Sequence, residues 1–384
     1  MKSLFLKAAG ALCLCVAIHF YSAAQGCVAI RSGCGANIGG GAFLQKNQWQ
    51  AGTNFRYFHS YRHFRGKHEE TYRVEEGSEV INDSFFMDFL LSYGLSDRVS
   101  LNVTLPFVYH QRSSMYEHGG NPDPDDPNTP ENEFWAGDRH TTGASGLADL
   151  RLGFSYWLFN PATTGSSSNL SVGLGIKLPT GAYRAKDEFF NQGDNNDQVI
   201  TSGVDQSIQP GDAGTGITIE LLGYHTISPN ITLSGNFYYL INPREKYTLE
   251  TRGRVRDFST PDQYAARLGI LYMTPIHGLS LYAGGRTEGI PSSDLIGGDE
   301  GFRRPGYVIS VEPGLSYGIR NTSINLTIPI AVERNRTKNF SDKESGGHGD
   351  AAFADYLMNF GLTWRFGGSK AQPDFNQAPS GLNN

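Results

Sequence analysis

Beyond its N-terminus the 384-residue chain has no long apolar run. Nothing after residue 20 approaches the roughly 20 consecutive apolar residues of a membrane-spanning helix. If the chain crosses a membrane, it does so as a closed barrel, because only helices and barrels satisfy every backbone group in lipid. Cysteine is scarce as well: Cys13, Cys15, Cys27 and Cys34 are the whole supply. That excludes a disulfide-dense scaffold. Positive charge is in deficit, with 32 Lys and Arg against 38 Asp and Glu. The surplus of acid argues against nucleic-acid binding.

The N-terminus reads as a secretory signal covering residues 1–24. Lys2 and Lys7 form its basic end, residues 8–20 its short apolar stretch, and Ser22-Ala23-Ala24 the small residues before a cleavage point at Gln25. Cleavage removes Lys2 and Lys7 and so moves the formal charge from −6 to −8. It also leaves only Cys27 and Cys34. A small disulfide loop between them is expected in an oxidising periplasm, and a metal pair is disfavoured because no histidine or third cysteine stands nearby. Residues 25–47 form a short Gly- and Cys-containing segment, periplasmic or in the lumen.

What remains is rich in glycine (47), phenylalanine (23) and tyrosine (19), with a mean hydropathy of −0.37. That value resembles a soluble protein, but barrels share it, because half of each strand faces a polar lumen and the loops are polar. Period-two alternation predicts strands over 49–58, 84–94, 99–111, 147–158, 169–179, 215–225, 231–241, 264–274, 279–287, 307–319, 324–333 and 353–366. The clearest sets Val99, Leu101, Val103, Leu105, Phe107 and Tyr109 against Ser100, Asn102, Thr104 and His110. The expectation is an all-β, closed antiparallel transmembrane barrel of about twelve strands spanning 48–366.

Connection lengths support this more than any one strand does. The links 95–98, 227–230, 275–278 and 320–322 are tight, and 159–168 is only slightly longer. The links 59–83, 112–146, 180–214, 242–263, 288–306 and 334–352 are long. Outer-membrane barrels have short periplasmic turns and long external loops, and parity segregates these links that way. A weak repeat marks three tight turns, each closing a strand with tyrosine (Tyr93, Tyr224, Tyr317). These rings are expected near the inner headgroups. Pro106, Pro179 and Pro329 interrupt three strands. Proline removes a ladder donor, so each implies a bulge, a break or a strand end. A bulge within the strand is favoured for Pro106, and a strand end for Pro179.

The last strand ends in Asn359, Gly361, Trp364 and Phe366. Phe366, Trp364, Leu362, Phe360, Met358 and Tyr356 share one face, and Arg365, Thr363, Gly361, Asn359 and Asp355 the other, with Leu357 as the exception. The spacing resembles the C-terminal signal by which outer-membrane barrels are recognised for insertion, which implies the barrel-assembly machinery as a partner. Residues 367–384 show no alternation and read as a disordered periplasmic tail. Gly173-Leu174-Gly175-Ile176-Lys177-Leu178-Pro179-Thr180-Gly181, the turn repeat and this signal together resemble the outer-membrane family of the MetA pathway of phenol degradation. That family is grouped with FadL-like transporters of hydrophobic compounds. The resemblance implies a channel for small, hydrophobic or aromatic solutes, and an N-terminal plug for which residues 25–47 are short.

By alternation Arg56, Asp88, Asp149, Arg151, Lys177, Glu220, Arg267, Glu312, Glu333, Asp355 and Arg365 face the lumen. They form either a ladder that guides a solute or ion pairs that fill a narrow barrel. Asp123-Pro124-Asp125-Asp126 lacks the glycine and distal glutamate of a calcium loop and reads as solvated surface. Gly193-Asp194-Asn195-Asn196-Asp197 is ambiguous in the same way. His59, His63 and His68 lack a spaced carboxylate and are not expected to bind metal. Arg62, Arg65 and Lys67 beside them are candidates for lipopolysaccharide phosphates. His110 with Ser113 or Ser114 is a nucleophile pair by sequence proximity alone, so no catalysis and no cofactor are expected. The reading is a monomeric bacterial outer-membrane barrel passing a small solute by passive or gated diffusion. The alternative is a surface adhesin or scaffold acting through its long loops.

Changing Phe366 to a polar residue is expected to lower insertion into the outer membrane while export across the inner membrane continues. Fractionation of cell envelopes reads both, and unchanged outer-membrane levels would refute the insertion-signal reading.

Overall fold

The computed structural model describes residues 43–118, 139–161, 167–193, 197–251 and 254–368. The signal, Cys27, Cys34, the acidic run 123–126 and the tail after residue 368 lie outside the described residues.

The first stretch contains β1 (Gln48–Arg65), β2 (His68–Glu69), the one-turn helix α1 (Tyr72–Glu75), β3 (Ile81–Gly94) and β4 (Val99–Ser114). Then come β5 (His140–Leu147), β6 (Arg151–Trp157), β7 (Ser168–Lys177), β8 (Lys186–Gln192), β9 (Gln198–Gly203), β10 (Gly216–Ser228) and β11 (Ile231–Ile241). The chain continues through β12 (Lys246–Thr251), β13 (Arg254–Ser259), β14 (Gln263–Met273), β15 (Leu279–Ile290) and β16 (Gly306–Ile319). It ends with β17 (Thr322–Thr327), β18 (Ile330–Arg336), α2 (Phe340–Glu344) and β19 (Ala351–Gly367). β5 and β6 share one lane of the wall, as do β17 and β18, so twelve antiparallel lanes surround the lumen. The ring closes where β1 pairs with β19, from Gln48↔Gly367 to Phe64↔Ala351.

The alternation sorts side chains as lipid demands. Phe55, Phe89, Leu101, Phe154, Leu174, Leu268, Val311, Phe360 and Leu362 are exposed on the outer wall. Asn54, Asp88, Thr104, Lys177, Glu312 and Thr363 are buried on the inner one. Trp49, Tyr93, Trp364 and Phe366 gather at the tight-turn end, with Trp49 4.5 Å from Tyr93 and Trp364 4.7 Å from Phe366 between ring centroids. Tyr317 is also outward and exposed. Tyr224 departs from the girdle expectation. It sits opposite Asn169, which is buried on the inner face, and its ring lies 5.9 Å from that of buried Trp157.

Pro106 acts differently from the sequence reading. β4 runs through Pro106 and pairs with β3 without a register shift. The extra residue lies instead in the neighbouring lane, because Thr104 pairs with Arg151 and Phe107 with Leu147. Residues of an antiparallel strand direct N–H and C=O to the same neighbour. The Pro106 carbonyl accepts from Ala148 N–H at 2.8 Å, so its missing donor faces the lane that breaks at 148–150. Pro313 in β16 repeats the arrangement: its carbonyl accepts from Ile328 N–H at 3.0 Å, opposite the gap between β17 and β18. At Pro179 the strand simply ends, at Lys177.

The long loops carry structure that alternation did not resolve. β8 pairs with β9, and β12 with β13, as hairpins beyond the wall. β1 also extends through Arg65, well past residue 58, by way of bulges between Phe58 and Arg62.

Inside the wall, Tyr282 lies across the paired glycines Gly269 and Gly284. A Cβ on Gly269 would stand 2.5 Å from the Tyr282 hydroxyl. An aromatic ring laid over a strand glycine covers exposed backbone. Gly269→Val is expected to cost about 1–3 kcal/mol through overpacking. The readout is the urea concentration or temperature at which the folded, fast-migrating gel band is lost, and an unchanged threshold would mean the ring yields freely.

Candidate functional site in the barrel lumen

The predicted lumen charges resolve into separate groups. Arg56 and Asp88 approach to 4.0 Å, and the Arg56 guanidinium lies 5.3 Å above the Phe86 ring. Arg267 reaches Glu312 at 3.4 Å. Arg286 bridges Glu312 at 3.9 Å and Glu288 at 2.8 Å. Lys177 sits between Asp149, at 3.6 Å, and Asp212. Arg365 donates to Gln50 at 3.0 Å. Glu220 pairs in register with buried Tyr238, and the Arg151 guanidinium lies 5.7 Å from the same ring. Asp355 sits where β1 bulges, bound to Arg62 at 3.2 Å.

Glu333 does not face the lumen. A register shift between Ile309 and Ser310 changes the phase of β18 and pairs Glu333 with outward Ile309. There Glu333 meets Lys67 and the Tyr307 hydroxyl, each at 2.7 Å. Strict alternation fails at this position because the bulge adds a residue.

The basic and histidine-rich segment after residue 58 is a set of closed pairs. Arg62 binds Glu69 with two hydrogen bonds of 2.5 Å, and Arg65 binds Glu70 at 2.7 Å. These guanidinium groups are therefore already engaged by carboxylates. His63 is buried, with Nδ1 2.5 Å from Asp350 and Nε2 accepting from Val80 N–H at 2.8 Å. His59 pairs with Asp83 at the surface. Among the described residues no group of three or more His, Cys, Asp or Glu could hold a metal ion. His110 turns inward against Phe86, and Ser113 accepts from Arg139.

A loop that the sequence reading left featureless occupies the outer mouth. Residues 203–213 fold inward, with Val204, Ile208, Gln209, Pro210 and Ala213 buried. Gly181 and Gly211 meet backbone to backbone, since a Cβ on Gly211 would stand 2.5 Å from the Gly181 carbonyl. Tyr247, Leu249 and Phe258 of the β12–β13 hairpin pack on Ala213 from outside. Gln209 accepts from Ala185 N–H and donates to the Val204 carbonyl, so the loop braces itself.

Asp205 latches this loop to the wall. Arg304 grips it with two hydrogen bonds of 2.8 and 2.9 Å, and Ser207 donates to it through N–H and hydroxyl. Arg112 of β4 lies 3.9 Å away, held in turn by Glu117 and Asn82. Burial alone would raise the Asp205 carboxyl, but Arg112 and Arg304 outweigh it and hold it well below the usual carboxylate range. Next to this latch Arg303 grips fully buried Asp294 with two bonds of 2.6 Å. The only sequence hint of an inward loop was a run, 203–214, with two acids, no base and several apolar residues.

Between loop and wall lies a cavity of about 130 Å³. Phe58, Phe86 and Tyr247 give it apolar sides, and Asp149, Arg151, Lys177, Asp212, Arg303 and Arg304 its charges. A second hollow of about 590 Å³ lies at the unpaired edge of β5, between Thr141–Ser145 and Ala185–Asp187. There Gly143 N–H donates to Asp187 at 2.6 Å. His110 lines both hollows, beside the break at 148–150.

No family model matches the sequence, and no curated protein matches it. The fold is similar to the COG4313 outer membrane channel from Pseudomonas putida F1, with a TM-score of 0.54 at 12% identity, covering 88% of this chain and 100% of that one. A Pseudomonas aeruginosa FadL homologue aligns at TM-score 0.43 and 10% identity over 84% of this chain and 90% of that one. The translocator domain of autotransporter NalP from Neisseria meningitidis aligns at 0.41 and 12% over the same shares. The last two likenesses are too loose to argue from. The first shows the fold, a closed barrel of the outer-membrane type. With its apolar exterior, this fold places the chain in the bacterial outer membrane.

The latch predicts a pH profile. A carboxyl held below its unfolded value contributes stability above that value, about 3.9, and loses it as pH falls toward the folded one. Hydrogen-exchange protection of residues 203–213 is therefore expected to stay level from neutral pH to about 4 and to fall only in stronger acid. Asp205→Asn should cost loop docking about 1.5–3 kcal/mol at neutral pH and remove the acid step. Equal protection in variant and wild type would refute the latch.

Proposed function

We propose that this barrel is an outer-membrane channel for small solutes, hydrophobic and aromatic compounds among them, crossed by passive or gated diffusion. The observation that carries this reading is the cavity of about 130 Å³ enclosed between the wall and an inward-folded loop. An engineered cavity of about 150 Å³ takes up benzene, so the space suits a single ring. An inner face of charged pairs and a mouth narrowed by residues 203–213 fit a selective pathway better than a filled structural core. The similar fold of the Pseudomonas putida F1 protein, itself described as a channel, supports the reading.

The wall offers a second exit. Among the described residues β5 has ladder pairing to β4 alone, and His110 lines both the hollow at its other edge and the cavity. A solute that reached the cavity would leave sideways through the break at 148–150 with few ladder bonds to disrupt. The ordered working unit is a monomer inserted by the barrel-assembly machinery, with membrane lipid around its apolar belt and lipopolysaccharide around its outer rim.

Refolded protein in planar bilayers is expected to conduct, and liposomes containing it to swell in small solutes. A deletion strain should take up aromatic substrates more slowly than its parent. Absence of both conductance and solute uptake would remove the channel reading.

A further inference from the structure

We propose that the mouth cavity is a binding site for a compact organic anion, an apolar ring carrying one carboxylate, with Arg151 as the residue that reads the charge. This deepens the channel reading and rests on it for its place in transport, though not for the binding itself. Arg151 opens β6 immediately after the wall break and lines the cavity. Its Nε and Nη1 are buried and without a hydrogen-bond partner. Its guanidinium lies 5.7 Å from the Tyr238 ring, and its register partner in β7 is Lys177.

The other cations of the cavity are committed. Lys177 is held by Asp149 and Asp212, Arg303 by Asp294, and Arg304 by Asp205. The two lining carboxylates are likewise spent. Asp149 accepts from Gly181 N–H at 2.9 Å as well as facing Lys177, and Asp212 accepts from Gly214 N–H at 2.9 Å. Among the described residues, Arg151 is therefore the one lining cation without an ion pair. Buried guanidinium donors left without an acceptor are costly, and a carboxylate matches their fork with two parallel bonds. Phe58 and Phe86 supply the surface for the ring. A neutral solute would leave those donors unmatched, and a cationic one would be repelled.

Calorimetry on the whole barrel in detergent, with benzoate, benzamide and benzylammonium as probes, tests this directly. Benzoate should bind roughly tenfold tighter than benzamide, and benzylammonium weakest. Arg151→Gln should remove the benzoate preference and leave benzamide unchanged, while Arg151→Lys keeps part of it. Heat-modifiable gel migration confirms folding, and the wild-type comparison of probes needs no variant. Equal binding of benzoate and benzamide to wild type would overturn the proposal, as would an Arg151→Gln effect equal on both. The same probes in the swelling assay separate the two readings. Benzoate binding without any passage keeps the site and removes the channel, whereas passage without benzoate preference keeps the channel and removes the site.

Discussion

Every backbone donor and acceptor in the wall needs a partner, because hydrocarbon supplies none. The pairing of β1 with β19 meets that demand and fixes much of the rest. It turns a sheet with two open edges into a ring. It also sets one face of every lane toward lipid, so Phe360, Leu362 and Trp364 are exposed while Asn359, Thr363 and Arg365 are buried. Most charge on the inner face sits in company, and Arg267, Arg286, Glu288 and Glu312 show the form this takes. A single member of that group without the others would be an uncompensated buried charge.

The ring is weakest where the ladder lacks a donor. Pro106 and Pro313 lie in unbroken strands, and in each case the damage appears next door, at 148–150 and at 328–329. The two gaps are not equivalent in surroundings. β18 beyond the second gap pairs again with β16 and touches β19, so the wall is resealed. Among the described residues, β5 beyond the first gap has ladder pairing with β4 alone. Its other edge is closed by loop residues, Asp187 among them, and His110 lines both the hollow there and the mouth cavity. Position relative to the loop, more than proline itself, distinguishes the two breaks and singles out the first for the lateral exit proposed above.

Twelve lanes, their order of long and short links and the outward face of the last strand were legible in the sequence, because period two and loop parity are local and repeated. The ends of strands were not. β1 runs past residue 58 because bulges keep it paired, and a bulge leaves no period to follow. The same cause hid the outward turn of Glu333, and the inward turn of Tyr224 was missed because the turn repeat suggested a girdle role. Loop 203–213 was illegible for a different reason. Its docking depends on Arg112 and Arg304, distant in sequence, and on a hairpin from another loop. Polar composition marked it as a loop, and a few apolar residues were the only hint of where it folds.

These long-range contacts change what the lumen charges mean. Read along the strands, they form a ladder of both signs from end to end. In space, most of them stand in pairs or small groups of opposite charge. In the channel proposed above, discrimination then belongs to the level where pairing is incomplete. That level is the mouth, where the loop takes Asp205 to Arg304 and Asp212 to Lys177 and so uses up the nearby carboxylates. By docking there, the loop narrows the lumen of the proposed channel and gives Arg304 and Lys177 partners while leaving Arg151 without an ion pair. The constriction and the charge it presents are consequences of one set of ion pairs. In the proposed channel, a change that releases the loop is therefore expected to alter the width of the mouth and its preference for charge together.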